Sequence, residues 1–302
     1  LQRLDASATE ARLALLTLTG PAGVGKSLLA LALAMRWRAR WADGAWRVDL
    51  GVLSPGCDAA TLRASLAHAL RLSDAASRDD ESLARSLLGL QLLLLLDNAE
   101  HVLEPLSPVL SHLLARLPGL QLLVTSREPL HLPMEQLHRV SPLSVPAPQD
   151  DNDPARCAAT GAGQLFLARV AARQSGFALT ADDSPALALL CRALDGLPLA
   201  LELAAARVPT LGLRGLCAQL APAELAPGFD SAPARLRLLG PSGPASRRRE
   251  VRYQTLREAL DWSHALLTPL QQRVLRRLAV FQGPFDLQSA TRVAADAEVD
   301  DW

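Results

Sequence analysis

GPAGVGKS, at residues 20–27, matches the phosphate-binding pattern G-x-x-x-x-G-K-[ST] at every fixed position. Glycines let the backbone of such a loop curl, so that successive N–H groups point at phosphate oxygens. Lys26 can reach the β- and γ-phosphates of a nucleotide, and the Ser27 hydroxyl can bind Mg²⁺. The residues expected to contact the nucleotide here are Gly20, Pro21, Ala22, Gly23, Val24, Gly25, Lys26, Ser27 and Leu28.

The sequence on either side of this phosphate loop (residues 20–27) supports the interpretation. Residues 13–19 (LALLTLT) predict a buried strand, and residues 28–38 predict a helix whose N-terminus would face the phosphates. Lys26 is the only lysine of the chain, because 30 of its 31 Lys and Arg residues are arginines. A lone compact ammonium group at this position favours a functional loop over a chance glycine-rich turn.

Composition and charge exclude several classes of protein. The 302 residues are 49% hydrophobic and 21% charged, which is enough for a substantial core and about two or three domains. The net charge of zero argues against a broad nucleic-acid surface, although not against a local basic patch. The four cysteines form no C-x-x-C pair, so we expect free thiols in a reducing, cytoplasmic compartment. The longest apolar run, residues 92–96, is too short to cross a membrane, and the N-terminus has no signal-peptide core.

A second motif predicts the partner acid of the phosphate loop. Residues 92–97 (LLLLLD) predict a central parallel strand that ends in a carboxylate, where open α/β sheets bind ligands. Asp97 would then hold the water shell of Mg²⁺ next to Ser27. Many hydrolysing P-loop enzymes have a glutamate directly after this aspartate, but position 98 is Asn, which cannot accept a proton. Glu100 could replace that base, although an acid in the first turn of the next helix is the simpler interpretation.

A third motif adds an arginine. Residues 120–127 (LQLLVTSR) predict another buried strand, and Arg127 at its C-terminal end could contact the γ-phosphate. A surface ion pair, for example with Glu128, is the alternative. Together these segments predict an α/β fold, a doubly wound parallel-sheet P-loop NTPase core. Further strands are expected at 45–50 and 140–143, and helices at 61–72, 82–90 and 103–117, the last one interrupted by Pro105 and Pro108.

The second half of the chain predicts helices separated by loops. Residues 146–163 are rich in Pro, Asp, Ala and Gly and predict a linker. Three consecutive arginines at 247–249 favour a solvated loop over a DNA contact, because no aromatic residues are interleaved with them. Helices are predicted at 164–174, 184–194, 199–208, 255–267, 269–278 and 287–295, and the start of a strand at 279–281.

Four segments, taken in order, resemble the NB-ARC (AP-ATPase) module of the STAND class of signalling ATPases, as found in large bacterial transcriptional regulators. The resemblance implies that Lys26 and Ser27 bind phosphate and Mg²⁺, that Asp97 is the Walker B acid and that Arg127 contacts the γ-phosphate. It also implies that Pro198 packs on the adenine, whereas a helix stop followed by a helix start would explain the same proline. The segments are GPAGVGKS at 20–27, LLLLLDNAEH at 92–101, LLVTSREPL at 122–130 and GLPLALELAAARV at 196–208.

The same resemblance implies a domain order and a function. The expected domains are a nucleotide-binding domain at 1–145, the linker at 146–163, a small helical domain at 164–228 and a winged-helix-like domain at 229–302. The last is expected to be partial, because the chain has no Met-His-Asp motif and stops at Trp302.

The implied function is a switch that binds ATP or ADP with Mg²⁺ and hydrolyses ATP slowly. Self-association in the ATP state, DNA contact through domains outside this chain and no membrane partner are expected as well. Asn98 places fast hydrolysis in doubt, but not binding. An ordinary hydrolytic P-loop ATPase with Glu100 as base, and a DNA-binding winged-helix module, are the alternatives.

Overall fold

The computed structural model describes residues 14–220, 268–281 and 285–295, and the chain divides into two compact units between Leu239 and Gly240. The helix predicted at 255–267 and the arginines at 247–249 lie outside the described residues. Within the described ranges, no helix has both the length and the apolar character that a bilayer crossing requires.

The first unit contains a five-stranded parallel sheet, which confirms the predicted α/β P-loop core. The strand order is β2-β3-β4-β1-β5, so β4 lies between the strand that precedes the phosphate loop and the strand that ends in Asp97. Every residue of the interior strands β3 and β4 is buried, as expected for strands covered on both faces. The strands are β1 Leu15–Thr19, β2 Ala45–Asp49, β3 Leu92–Asp97, β4 Leu120–Ser126 and β5 Glu135–Arg139.

Helices cover both faces of this sheet, and more helices follow it. The described helices of the first unit are α1 Lys26–Trp37, α2 Ala59–Ala69, α3 Asp80–Ser86, α4 Leu103–Arg116, α5 Pro154–Ala159, α6 Gly161–Ala171, α7 Ser184–Ala193, α8 Pro198–Ala205 and α9 Val208–Leu220, the last kinked at Gly212.

Alternation along β3 separates the two layers of the core. Leu93 and Leu95 pack with Leu33 and Trp37 of α1 on one face of the sheet. The intervening leucines of β3 pack with residues of α2, α3 and α4 on the other face. Because side chains of a strand alternate between faces, Asp97 lies on the same face as Leu93 and Leu95, which is the face of α1.

Two predictions about the sheet and its helices are wrong. The expected strand at 140–143 is replaced by β5, which has the polar sequence EQLHR and carries no apolar alternation. β5 is an edge strand, so it is stabilised by backbone hydrogen bonds to β1 rather than by the burial of its side chains. The expected interruption of α4 is absent as well, since Pro108 lies inside a continuous helix. Burial of Leu106, Val109 and Leu110 on the sheet offsets the lost backbone bond.

The segment predicted as a linker, residues 146–163, contains regular structure. Asp153 begins α5 by accepting hydrogen bonds from the N–H groups of Ala155 and Arg156, at 3.0 and 3.1 Å. Thr160 caps α6 in the same way through the N–H of Gly163. The composition predicted a linker because Pro and Asp are typical of loops, but the same two residues are also common at the start of helices. The proposed division of the first unit into a nucleotide-binding part and a helical part remains a prediction.

The second unit is described in two helices, α10 Pro269–Leu278 and α11 Leu287–Ala294. Thr268 and Gln271 form a reciprocal capping box at the start of α10. Residues 279–280 form a turn, so the strand predicted at 279–281 does not begin there. The rings of Phe281 and Phe285 stack at 4.4 Å between the two helices. The winged-helix assignment stays a prediction.

Candidate nucleotide-binding site

The phosphate loop connects β1 to α1, as the motif predicts. Gly25 is the N-cap of α1, and Lys26 and Ser27 form the first turn of that helix. Free N–H groups at a helix N-terminus, together with the helix dipole, attract phosphate. Gly23 has a φ of +77°, a conformation that glycine adopts at little cost. Leu28 is 61% exposed, so its side chain is not packed against the loop or the sheet.

The Lys26 ammonium group folds back over the loop. Its Nζ donates hydrogen bonds to the carbonyl oxygens of Gly20 at 2.8 Å and of Pro21 at 3.0 Å. The pKa of Lys26 lies below its usual value, and burial of the ammonium group is the largest cause. The positive charge of Arg127 lowers this pKa further, whereas the negative charges of Glu100 and Asp97 oppose the shift. The four side chains are therefore close enough to interact, although the sequence places them on three separate motifs. A bound phosphate would offer this ammonium group a stronger partner than loop carbonyls.

Asp97 ends β3 with its side chain 1% exposed. Its Oδ1 accepts a hydrogen bond from the hydroxyl of Thr125 at 2.7 Å, and its Oδ2 accepts one from the guanidinium of Arg47. The Thr125 hydroxyl in turn accepts the backbone N–H of Asn98 at 2.9 Å. Strands β2 and β4 thus hold the predicted Walker B acid from both sides.

Glu100 and Arg127 form an ion pair beside the loop. The Nε of Arg127 lies 3.0 Å from Oε1 of Glu100, whose side chain is 8% exposed. Glu100 lies in a single 3₁₀ turn before α4 rather than in the first turn of that helix, and its carboxylate is buried beside Arg127. The second oxygen, Oε2, is buried with no hydrogen-bond partner among the described residues.

Asn98 is turned away from this pair. It has a left-handed backbone with φ of 63°, and its Nδ2 donates to Oδ1 of Asp49 at 3.2 Å. Asparagine tolerates this conformation better than most residues other than glycine. The amide side chain therefore contacts β2, and the position that carries a glutamate in many hydrolysing enzymes has no base here.

The Gly-Leu-Pro segment rests directly on the phosphate loop. The backbone N–H of Leu199, in the first turn of α8, donates to the carbonyl oxygen of Gly23 at 3.1 Å. A Cβ on Gly23 would lie 2.9 Å from the Cβ of Leu199, so glycine is required for this approach. A Cβ on Gly25 would lie 4.0 Å from Cγ of Pro198. The structure thus brings Pro198 beside the loop.

The donor set suits a magnesium nucleotide. Ser27 and Asp97 offer the hard oxygen atoms that Mg²⁺ prefers, and Lys26 with the start of α1 offers positive charge to phosphates. The orphaned Oε2 of Glu100 is an acceptor that a water molecule or a ligand would satisfy.

Sequence reasoning missed two residues of the site. Arg47 belongs to β2 and lies in no recognisable motif, and Thr125 lies within a segment predicted only as a buried strand. A signal for Thr125 existed, because a polar residue near the carboxyl end of a buried strand commonly serves a site. Arg47 gave no comparable signal, since a charged residue on an edge strand is usually solvated.

The parallel sheet and the phosphate loop define the chain as an α/β protein with a P-loop NTPase fold. No protein-family model matches it. The chain is 37% identical over 287 residues to a Mycobacterium tuberculosis protein named as a proposed HTH-type transcriptional regulator, a match that covers 95% of the chain and 29% of that relative. It is 37% identical over 289 residues to an uncharacterised protein of the same species, covering 94% of the chain and 65% of the relative. The chain thus spans less than two thirds of either relative.

One solved structure aligns with nearly the whole chain. It is a signal transduction ATPase with numerous domains (STAND) and a tetratricopeptide repeat sensor, from Pyrococcus horikoshii, with a TM-score of 0.42 and 12% identity over 96% of the chain and 36% of that protein. The fold assignment rests instead on the strand order and the loop of this chain.

Proposed function

We propose that this chain is the nucleotide-gated switch module of a bacterial transcriptional regulator of the STAND class, which binds ADP and ATP with Mg²⁺. The proposal is supported by the order of the four sequence segments and by the charged side chains around Lys26. It is also supported by the relative at 37% identity, which is named as a transcriptional regulator. Because the chain spans 29% of that relative, the DNA-binding and sensing parts would belong to other segments of a longer protein.

The observation that carries the proposal is the hydrogen bond from Leu199 N–H to the Gly23 carbonyl. It joins the phosphate loop to α8, so that occupancy of the loop and the position of the helical segment are coupled. Pro198, beside the loop, supplies a flat apolar surface with no N–H to satisfy, which suits an adenine ring.

The ion pair between Glu100 and Arg127 supplies the means of telling ATP from ADP. A γ-phosphate would compete with the Glu100 carboxylate for the Arg127 guanidinium, because arginine binds phosphate bidentately. ADP lacks that group and would leave the ion pair in place. A ligand shifts a conformational equilibrium only through contacts that differ between states, and this contact differs.

Slow hydrolysis follows from the same geometry. Asn98 is not a base, and Glu100 is paired with Arg127. Ser27 and Asp97 would hold Mg²⁺, which neutralises phosphate charge when bound. We expect turnover no faster than about one per second, the low end of ordinary enzymes.

The first experiment is to denature the purified 302-residue chain and identify the released nucleotide by chromatography. Near-stoichiometric ADP would support a closed switch that holds its product. Lys26→Ala should remove the nucleotide, whereas Arg116→Ala, which breaks an exposed ion pair with Glu81 elsewhere in the first unit, should retain it. The proposal is wrong if the wild-type chain is empty and calorimetry detects no binding of added ADP or ATP.

A second candidate is an ordinary hydrolytic ATPase with Glu100 as general base. It is favoured by the buried, unpartnered Oε2 of Glu100 next to the loop. Glu100→Gln should then abolish turnover and leave nucleotide affinity unchanged. Turnover that survives this change would show that Glu100 serves only as the partner of Arg127.

Three further expectations belong to the same proposal. We propose that the ATP state self-associates, that DNA is contacted through domains outside this chain, and that the protein is cytoplasmic. Sedimentation with ATP and with ADP tests the first point. Binding of duplex DNA by this chain alone at low salt would contradict the second.

A further inference from the structure

Arg47 occupies a defined place beside the candidate site. In the ladder between β2 and β3, Arg47 lies opposite Leu95, and Asp49 lies opposite Asp97. Residues that are opposite each other in a parallel ladder share a face. Leu95 packs with α1, so Arg47 projects from the face on which α1 and the phosphate loop lie.

Arg47 is the charge that balances the buried Asp97 carboxylate. One oxygen of Asp97 is bonded to the neutral hydroxyl of Thr125 and the other to the Arg47 guanidinium. A carboxylate that is 1% exposed is costly without a positive partner. The positive charge of Lys26 is directed to the carbonyls of Gly20 and Pro21.

The two members of this pair differ in their freedom to move. The side chain of Arg47 is 34% exposed, whereas that of Asp97 is 1% exposed. Arg47 can therefore move towards solvent more readily than Asp97, which is held between β2 and β4. A magnesium ion approaching Asp97 would meet the guanidinium charge, and like charges at contact repel strongly where water is excluded.

We infer that Arg47 acts as a resident counter-ion of Asp97, so that Mg²⁺ must displace it and nucleotide binding depends only weakly on the metal. This inference rests on the proposed nucleotide site, and it identifies Arg47 as the residue that controls the Mg²⁺ dependence of that site. Arg47 is a positioning residue in this role, because it acts through Asp97. The switch would then hold a nucleoside diphosphate without metal, and the arrival of the magnesium nucleotide would release Arg47 at the edge strand β2.

The test is a titration of a fluorescent N-methylanthraniloyl ADP at a series of free Mg²⁺ concentrations, beginning in EDTA. Wild type should bind in EDTA and gain affinity from the metal only at high free Mg²⁺ concentrations. Arg47→Gln should lower the half-saturating Mg²⁺ concentration about tenfold, in line with the strength of hydrogen bonds to charged groups. Arg47→Lys, which keeps the charge, should behave more like wild type, and Arg116→Gln should not differ from it.

A second measurement guards against an unfolded variant. In EDTA without nucleotide, Arg47→Gln should melt below wild type, because Asp97 is left without its counter-ion. Magnesium with ADP should raise the melting temperature of Arg47→Gln more than that of wild type.

The possible failures are distinguishable. An unchanged Mg²⁺ dependence in Arg47→Gln, with intact ADP binding, would overturn the role of Arg47 and leave the proposed function standing. An equal loss of ADP affinity with and without Mg²⁺ would also overturn it, since Arg47 would then be a phosphate ligand. Absence of ADP binding by wild type at every Mg²⁺ concentration would overturn the proposed function, and this inference with it.

Discussion

Replacing Gly196 by alanine tests how the Gly-Leu-Pro segment is held against the sheet domain. Gly196 has a φ of +62°, and a Cβ at this position would lie 2.2 Å from the backbone oxygen of Leu143 and 3.1 Å from Cγ1 of Val145. The carbonyl oxygen of Gly196 also accepts the N–H of Leu143 at 3.0 Å. A methyl group cannot fit against a backbone oxygen at this distance, so the two segments must separate.

The cost has two parts. The left-handed conformation costs a residue with a Cβ about 1–2 kcal/mol. Separation of the segments loses a hydrogen bond worth about 1 kcal/mol. Gly196→Ala should therefore lower the free energy of unfolding by about 2–3 kcal/mol, or the melting temperature by about 4–12 °C for a unit of this size.

Gly176→Ala is the matched control. Gly176 has a φ of +80°, and a Cβ there would have nothing within 4 Å. This variant carries the conformational cost of about 1–2 kcal/mol without the steric conflict. Urea unfolding followed by circular dichroism measures both variants. Equal destabilisation would refute the reasoning, because it would show that the close approach of Leu143 to Gly196 contributes nothing.

Two further predictions concern the cysteines, which are all free. An aromatic disulfide reagent should label only Cys57 in the native protein, because the other three thiols, Cys157, Cys191 and Cys217, are buried. The reagent should label all four thiols after unfolding. A second thiol that reacts quickly in the native protein would contradict this packing. Burial raises the pKa of Cys191 to about 12 from the ordinary thiol value of 9.0, so the stability this thiol contributes is complete below pH 9 and is lost as the pH rises towards 12. The loss should approach about 1.4 kcal/mol per pH unit. Cys191→Ala should flatten the alkaline decline of the urea midpoint more than Cys57→Ala, because Cys57 is only partly buried.

Local sequence patterns were sufficient where one segment carries its own signal. Five leucines and an aspartate predicted β3 at its observed bounds, because a strand covered on both faces must be apolar throughout. The glycines and Lys26 predicted a phosphate loop between a strand and a helix, because that backbone path requires those residue types. The helical segments at 164–174, 184–194 and 199–208 were also located, each within a few residues of a helix end.

Local patterns failed where a partner across the fold decides the structure. The edge strand β5 is polar and is held by backbone bonds to β1, which no periodicity reveals. Pro108 stays inside α4 because the burial of the helix on the sheet outweighs a missing hydrogen bond. In both cases the energy comes from contacts between residues distant in sequence.

The site shows the same division. The sequence by itself determined that Lys26, Asp97 and Arg127 would lie at the carboxyl ends of parallel strands, because each follows its own apolar run. Tertiary structure alone decided the pairings, since β4 lies between β1 and β3 and brings Arg127 to Glu100, while β2 brings Arg47 to Asp97. A buried charged side chain is stable only when an oppositely charged group lies close to it. Strand order, rather than position in the chain, decides which residue that is.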